Sequence, residues 1–104
     1  MDIQDIKKAI ERNRVNITKH ARDEAKNDSL ILDEILLSTC NGEIVEDYPD
    51  DKPFQSCLIF GKSSYDDPIH SVWAYDSSTK IAVLITVYRP DPNLWINMKE
   101  RKKK

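Results

Sequence analysis

Apolar positions in the first 42 residues recur at helical spacing. Three isoleucines fall on one face of a first helix that is predicted to end at Asn13: Ile3, Ile6 and Ile10. Thr18 is placed to cap a second helix that runs to about Asp28. A third helix is predicted to begin near residues 29–31 and to end at Gly42, with an inner stripe formed by Leu32, Ile35, Leu36 and Thr39.

The pattern changes to that of strands from Glu43 onward. Four strands are predicted, at residues 44–48, 55–61, 69–75 and 80–89. Short connections favour antiparallel pairing between neighbours. The fold class is therefore α+β, with two or three N-terminal helices packed on a four-stranded antiparallel meander sheet. A last helical turn is predicted over residues 93–98, where Leu94 and Trp95 would cover a sheet edge.

Composition fits a single soluble domain over residues 1–98, followed by a basic tail over residues 99–104. Of the 104 residues, 39% are hydrophobic and 33% are charged, and no apolar run approaches the roughly 20 residues that span a bilayer. Two cysteines are too few for a disulfide framework, and the N-terminus does not have the pattern of a secretion signal. We therefore expect a cytoplasmic protein without membrane association.

Charge is unevenly distributed along the chain. The net charge is −2, but residues 40–68 carry 2 basic and 7 acidic groups, whereas the tail carries 5 basic groups and one acidic group. An acidic protein is not typical of nucleic-acid binders, although a local basic patch can still hold phosphate. The tail is either such a patch or a frayed, solubilising terminus. Exposed strand edges are compatible with a dimer but do not require one.

One candidate site lies on the third and fourth predicted strands. Period-2 alternation places His70, Val72 and Ala74 on one face, and Ala82, Leu84, Thr86 and Tyr88 on one face of the next strand. If the connecting loop has an odd number of residues, His70 lies opposite Thr86, with Tyr88 as its diagonal neighbour. A two-residue loop would invert the faces. Alternatively, His70 is an ordinary edge histidine with a satisfied hydrogen bond.

A second candidate site lies on the second helix. Lys19, Arg22 and Lys26 recur at helical spacing as a basic stripe, and His20 lies beside it. A histidine near cations suits acid–base chemistry on an anion, but the same residues also fit a solvated helix face. Metal ligation is not indicated because the histidines and cysteines are scattered singly, and no cofactor motif is present.

Four segments of the chain resemble one protein family, the domain-of-unknown-function family DUF4258. They are His20-Ala21-Arg22, residues 41–49, residues 68–72, and Thr86-Val87-Tyr88-Arg89-Pro90-Asp91-Pro92 with Trp95. The resemblance covers about residues 15–98. That family is similar to the RelE and BrnT toxins and to a wider group of metal-independent ribonucleases. The resemblance therefore implies a RelE-like domain.

The resemblance also implies a function, namely a toxin-like endoribonuclease of a toxin–antitoxin system that cleaves RNA without metal or cofactor. RNA and an antitoxin-like protein are then the expected partners. Catalysis would fall to His20 and His70 as an acid–base pair, together with Tyr88. Substrate binding would fall to Lys19, Arg22, Thr86 and Arg89.

The alternative hypothesis is a catalytically inactive protein-interaction module on the same fold. The acidic middle segment favours it, since RNA-cutting surfaces are usually more basic. The position of the histidines discriminates between the two hypotheses. Convergence of His20, His70 and Tyr88 in one cleft with Arg22 favours the enzyme, whereas histidines that point apart favour the interaction module.

Overall fold

Three helices and seven strands follow one another along residues 1–103, the part of the chain that the computed structural model describes. The helices are α1 (Ile3–Glu11), α2 (Lys19–Asn27) and α3 (Leu32–Cys40). The strands are β1 (Val15–Ile17), β2 (Glu43–Tyr48), β3 (Ser56–Lys62), β4 (Pro68–Asp76), β5 (Ile81–Tyr88), β6 (Trp95–Ile96) and β7 (Glu100–Arg101). The predicted α+β class is confirmed, with all three helices present.

Side-chain caps explain where two of the helices begin. The Asp2 carboxylate accepts a hydrogen bond from the Gln4 amide at the start of α1. Thr18 caps α2 as predicted, because its Oγ1 accepts from the Ala21 amide at 3.0 Å. The same hydroxyl donates to the Ile85 carbonyl at 3.0 Å, and so the cap also ties α2 to β5.

The main sheet has five strands in the order β1-β5-β4-β3-β2, and it is mixed. Strands β2 to β5 form the predicted antiparallel meander, but β1 pairs parallel with β5, with Val15 opposite Ala82 and Ile17 opposite Leu84. The prediction of a sheet with four strands, all antiparallel, is therefore wrong. The missed strand has only three residues and lies between two helices, too short for a period-2 pattern to be recognised.

The helices pack on one face of this sheet, which we call the inner face. The core there is formed by Ile6, Ala9, Ala21, Leu30, Ile35, Cys57, Ile59, Ile69, Trp73, Ala82, Leu84 and Val87. The indole Nε1–H of Trp73 donates to the hydroxyls of Ser71 and Thr39 at 3.0 and 3.2 Å, which satisfies buried polar atoms within the core. Gly61 on β3 lets the sheet approach the backbone of α3 at Ser38.

Two strands each contain one extra residue that reverses the alternation of faces. The register shifts at Val45 in β2 and at Ile85 in β5. Ala82 and Leu84 are therefore buried on the inner face, and Thr86 and Tyr88 point to the opposite, outer face. The predicted common face for these four residues is wrong. The bulge also places Tyr88, rather than Thr86, directly opposite His70.

The last described segment is a small hairpin across the outer face, formed by β6 and β7. The predicted helical turn over residues 93–98 is wrong, because Asn97 and Met98 have positive φ values of 53° and 63°, as in a tight hairpin turn. Leu94 is exposed, and Trp95 packs on the outer face rather than on a sheet edge. The predicted basic tail overlaps this hairpin, and its final residue, Lys104, lies outside the described residues. No helix within residues 1–103 has the length and apolarity to cross a membrane.

Candidate functional site

Ionisable and aromatic side chains lie close together on the outer face, beneath the β6–β7 hairpin. We call this set the His70 cluster, and its members are Glu46, Tyr48, Phe60, His70, Tyr88, Trp95 and Arg101. Strand register sets their positions, since His70 lies between Phe60 on β3 and Tyr88 on β5. The hairpin contributes Trp95 and Arg101 from above.

His70 is completely buried and uses both ring nitrogens. Its Nε2–H donates to the Met98 carbonyl at 2.6 Å, and because a carbonyl only accepts, this nitrogen carries the proton. Nδ1 then accepts from the Tyr88 hydroxyl at 3.2 Å. Burial lowers the pKa of His70, and the bond to Met98 opposes that shift only in part. In this arrangement His70 is a neutral imidazole.

Three aromatic rings enclose the His70 imidazole edge to face. The ring centroids of Trp95, Tyr88 and Phe60 lie 4.5, 5.3 and 5.9 Å from that of His70. Burial also raises the pKa of the Tyr88 hydroxyl, so the phenol is protonated and donates. The environment therefore stabilises uncharged forms of both groups and leaves no room for a substrate beside His70.

At the edge of the cluster, Arg101 and Glu46 form a bidentate ion pair. Arg101 Nε donates to Glu46 Oε2 at 2.8 Å and Nη2 to Oε1 at 3.2 Å, while the guanidinium lies 4.7 Å from the centroid of the Trp95 ring. The Tyr48 hydroxyl also donates to Glu46. Burial by itself raises the pKa of Glu46, but the hydrogen bonds from Arg101 and Tyr48 outweigh it and leave that pKa below its usual value. Burial, with the bond to Glu46, raises the pKa of Tyr48 to about 12.

The sequence pointed to His70 and Tyr88 but missed the other five members of the cluster: Glu46, Tyr48, Phe60, Trp95 and Arg101. Glu46 is one of the seven acidic residues in the acidic segment 40–68, and Arg101 belongs to a lysine-rich terminus. Their association depends on the bulge at Val45 and on the return of the chain over the sheet, neither of which leaves a local signal. As arranged, the cluster anchors the hairpin to the sheet.

The candidate residues on α2 lie on the other side of the molecule. His20 is exposed on a helix that packs against the inner face, so the sheet separates it from His70. Lys19 is exposed and pairs with Asp23 at 2.7 Å, while Arg22 is exposed beside Ala21, a core residue. The structure does not bring the two histidines into one cleft.

The remaining candidates also occupy separate places. Thr86 is half-buried on the outer face opposite Val72, next to the Tyr88–His70 pair. The Arg89 guanidinium donates from Nε to the Asp28 carbonyl at 2.9 Å, while its backbone amide donates to the Asp28 carboxylate. Arg89 also lies 3.6 Å from Asp67. It thereby joins the end of β5 to the C-terminus of α2, where a cation is favourable.

A surface groove runs between α2 and α3 and has a cavity volume of 480 Å³. We call it the α2–α3 groove. Its floor is aliphatic, and its lining residues are Ile17, Ala21, Arg22, Ala25, Lys26, Ser29, Leu30, Ile31, Leu32, Ile35 and Leu84. At its mouth Ile31 is 64% exposed and Leu32 is 43% exposed, high values for large apolar side chains at adjoining positions.

Residues 17–89 match the model of the family described as a domain of unknown function, DUF4258. The chain belongs to the DUF4258 family. This match confirms the family resemblance that the sequence suggested. No curated protein and no solved structure matches the chain significantly.

The segment that matches the DUF4258 model includes all of one candidate site and only part of the other. It contains every residue that lines the α2–α3 groove, from Ile17 to Leu84. It also contains His70, Tyr88 and Glu46, but Trp95 and Arg101 lie beyond its last residue. The part of the His70 cluster that the hairpin supplies is therefore outside the matched segment. Within residues 1–103 of this DUF4258 protein, no three potential metal ligands come together.

Proposed function

We propose that this DUF4258 protein is a protein-interaction module rather than an enzyme acting through its two histidines. The separation of His20 and His70 by the sheet carries the proposal. An acid–base pair must reach the two ends of one scissile bond, and hydrogen-bond reach is about 3 Å at each end. Residues on opposite faces of a sheet do not meet that requirement.

The state of His70 supports the same reading. Its ring nitrogens are both hydrogen-bonded and it has no exposed surface. A general acid or base needs a nitrogen free to exchange a proton with substrate. Here the imidazole instead donates a hydrogen bond to the Met98 carbonyl. Met98 has a positive φ, a backbone conformation that costs on the order of 1 kcal/mol for a residue other than glycine. Its contribution is to the position of the hairpin.

The α2–α3 groove supports partner binding, because it is an open apolar depression bordered by exposed Ile31 and Leu32. Apolar surface of this kind is usually covered by another molecule. The test is reconstitution of a complex from purified components after cross-linking in cells has identified the partner. We expect a stable complex and intact RNA in a parallel assay. Failure to form any complex, together with RNA cleavage by the isolated protein, would overturn the proposal.

A second candidate function is a metal-independent endoribonuclease, favoured by the convergence of Glu46, His70, Tyr88 and Arg101 on the outer face. The RelE-like toxin hypothesis belongs to this candidate, with RNA as substrate and an antitoxin-like protein as partner. In place of His20, Glu46 would accept the proton of the ribose 2′-hydroxyl as its oxygen attacks phosphorus. Protonated His70 would donate to the departing 5′-oxygen, and the Tyr88 hydroxyl on β5 would donate a hydrogen bond to the phosphate. The hairpin must first move away from His70.

Incubation with total RNA in EDTA, with and without translating ribosomes, tests this second candidate. If it holds, Glu46→Gln lowers cleavage by about a hundredfold or more, since acid–base catalysis contributes at least that factor. Glu43→Gln is the matched control, because Glu43 lies on the same strand and pairs with Lys99 instead. Intact RNA in every reaction would exclude the ribonuclease.

A further inference from the structure

The lining of the α2–α3 groove restricts the kind of molecule that fits it. The floor consists of buried Ala21, Ile35 and Leu84, and the mouth of exposed Ile31 and Leu32. None of the lining side chains is aromatic. Single-stranded nucleic acid binds by stacking bases on aromatic rings, which this floor cannot provide. Aliphatic side chains of a protein segment match it better.

Two cations border the groove on the α2 side. Arg22 and Lys26 are four residues apart, so their side chains project from the same side of the helix, with Cβ atoms about 6 Å apart. Neither makes an ion pair with another residue in the described part of the chain, whereas Lys19 on the same helix pairs with Asp23. The border of the groove thus carries two cations without a direct ion pair, although Asp23 on the same helix interacts with Lys26 at longer range and the protein as a whole is acidic.

We infer that the α2–α3 groove binds an acidic amphipathic helix of a partner protein. This inference rests on the proposed function and specifies the chemistry of the partner. The apolar face of such a helix, with residues at i, i+3, i+4 and i+7, covers the aliphatic floor between Ile31 and Leu84. Carboxylates one turn apart on its flank match the spacing of Arg22 and Lys26. Most of the groove lining comes from α2, α3 and the segment between them, with only Ile17 from the edge strand β1 and Leu84 from β5, and a partner helix suits such a lining better than an added strand does.

The direct probe is a fluorescein-labelled, helix-forming peptide of about 20 residues, with leucines on one face and glutamates beside them. A second peptide has lysine at each glutamate position, and a third has the acidic composition in scrambled order. We expect the acidic amphipathic peptide to bind more tightly than either control by fluorescence anisotropy. Amide chemical-shift changes should concentrate in α2 and the start of α3. Equal affinity for all three peptides, or shifts elsewhere, would overturn the inference.

Charge exchange tests the role of the cations. Arg22→Glu with Lys26→Glu should weaken binding of the acidic peptide at least about fivefold, and the same variant should now prefer the lysine peptide. Lys8→Glu with Arg12→Glu is the matched control, because it changes the net charge equally at the same spacing at the end of α1, where Arg12 is the C-cap residue. All four side chains are positioned outside the core, so these variants should fold. Equal weakening by both pairs would reduce the effect to net charge and overturn the inference.

The apolar contribution has its own test in Ile31→Ser with Leu32→Ser. These side chains are exposed, and their loss should weaken binding about tenfold without lowering the melting temperature. A short single-stranded RNA serves as a further arm. Binding of that RNA that depends on Arg22 and Lys26 but not on the two serine changes would overturn the inference in favour of nucleic acid.

Failure of this inference is distinguishable from failure of the proposed function. A reconstituted complex with the cellular partner that survives both the charge reversal and the serine changes would refute the groove as its binding site. The protein would still be an interaction module in that case. RNA cleavage without any complex would instead refute the proposed function itself.

Discussion

Replacement of His70 by glutamine should remove a pH dependence from the stability of the fold. Burial lowers the pKa of His70 in the folded protein, so the folded state keeps the imidazole neutral at a pH where the unfolded chain already binds a proton. Stability is then complete above the unfolded pKa of about 6.5 and is lost as the pH falls below it, down to the lowered folded value.

The size of the effect follows from proton linkage for a single group. One proton bound only by the unfolded state lowers the unfolding free energy by up to about 1.4 kcal/mol for each unit of pH. The loss of the wild type between pH 6.5 and 5 is therefore at most about 2 kcal/mol. Glutamine cannot keep both hydrogen bonds to Met98 and Tyr88, so the variant should also be less stable at pH 7 by about 1–3 kcal/mol.

Urea unfolding at pH 7, 6.5, 6, 5.5 and 5 measures both effects. Carboxylates such as Glu46, whose pKa is lowered in the folded protein, change the unfolding free energy at more acidic pH and contribute little between pH 7 and 5. His20→Gln is the matched control, because His20 is exposed and its imidazole makes no hydrogen bond within residues 1–103. It should retain the wild-type dependence on pH, whereas His70→Gln should give a nearly flat profile.

Two results would refute this reasoning. If His70→Gln and the wild type lose stability in parallel between pH 6.5 and 5, the buried histidine is not the group that titrates. If the wild type becomes more stable as the pH falls, His70 is protonated in the folded protein, and its Nδ1–H donates to the Tyr88 hydroxyl instead of accepting from it.

Two further predictions concern contacts that hold the sheet to its neighbours. In Gly61→Ala the new Cβ would lie 1.7 Å from the Ser38 carbonyl oxygen, so α3 must shift. We expect the free energy of unfolding in urea to fall by about 3 kcal/mol, with Ser77→Ala at an exposed position as the control. Equal urea midpoints for the two variants would contradict this close approach. Arg101→Ala removes the ion pair that anchors the hairpin. We expect hydrogen exchange of the Lys102 amide, which bonds to the Leu94 carbonyl, to become about tenfold faster, without a comparable change in core amides. Unchanged exchange would show that the ion pair is dispensable.

Local signals were sufficient for the helices and the meander. The Thr18 cap, the isoleucine spacing in α1 and the short connections each act within a few residues, and the structure agrees with them. The order of helices followed by strands gave the α+β class. The three-residue β1 was missed because its pairing with β5 is specified by residues far away in sequence.

The candidate site was predicted only in part, and the bulge at Ile85 shows why. The loop between β4 and β5 spans residues 77–80, an even number, which alone would place His70 and Tyr88 on opposite faces. The extra residue at Ile85 reverses the alternation once more and restores their contact. His70 and Tyr88 are neighbours as expected, but the odd-numbered loop on which the expected register depended is not present. Neither the bulge nor the covering hairpin has a signature in the surrounding residues.

The parallel pairing of β1 with β5 has a consequence for folding during synthesis. Thr18, next to β1, bonds to Ile85, a partner 67 residues later in the chain. β1 and α2 therefore leave the ribosome well before the strand against which they pack, and their apolar side chains stay uncovered in the meantime. Contacts over such sequence separations form late and slow folding. The nascent chain is accordingly most vulnerable to aggregation and proteolysis just before β5 emerges, and a chaperone that binds there would protect it.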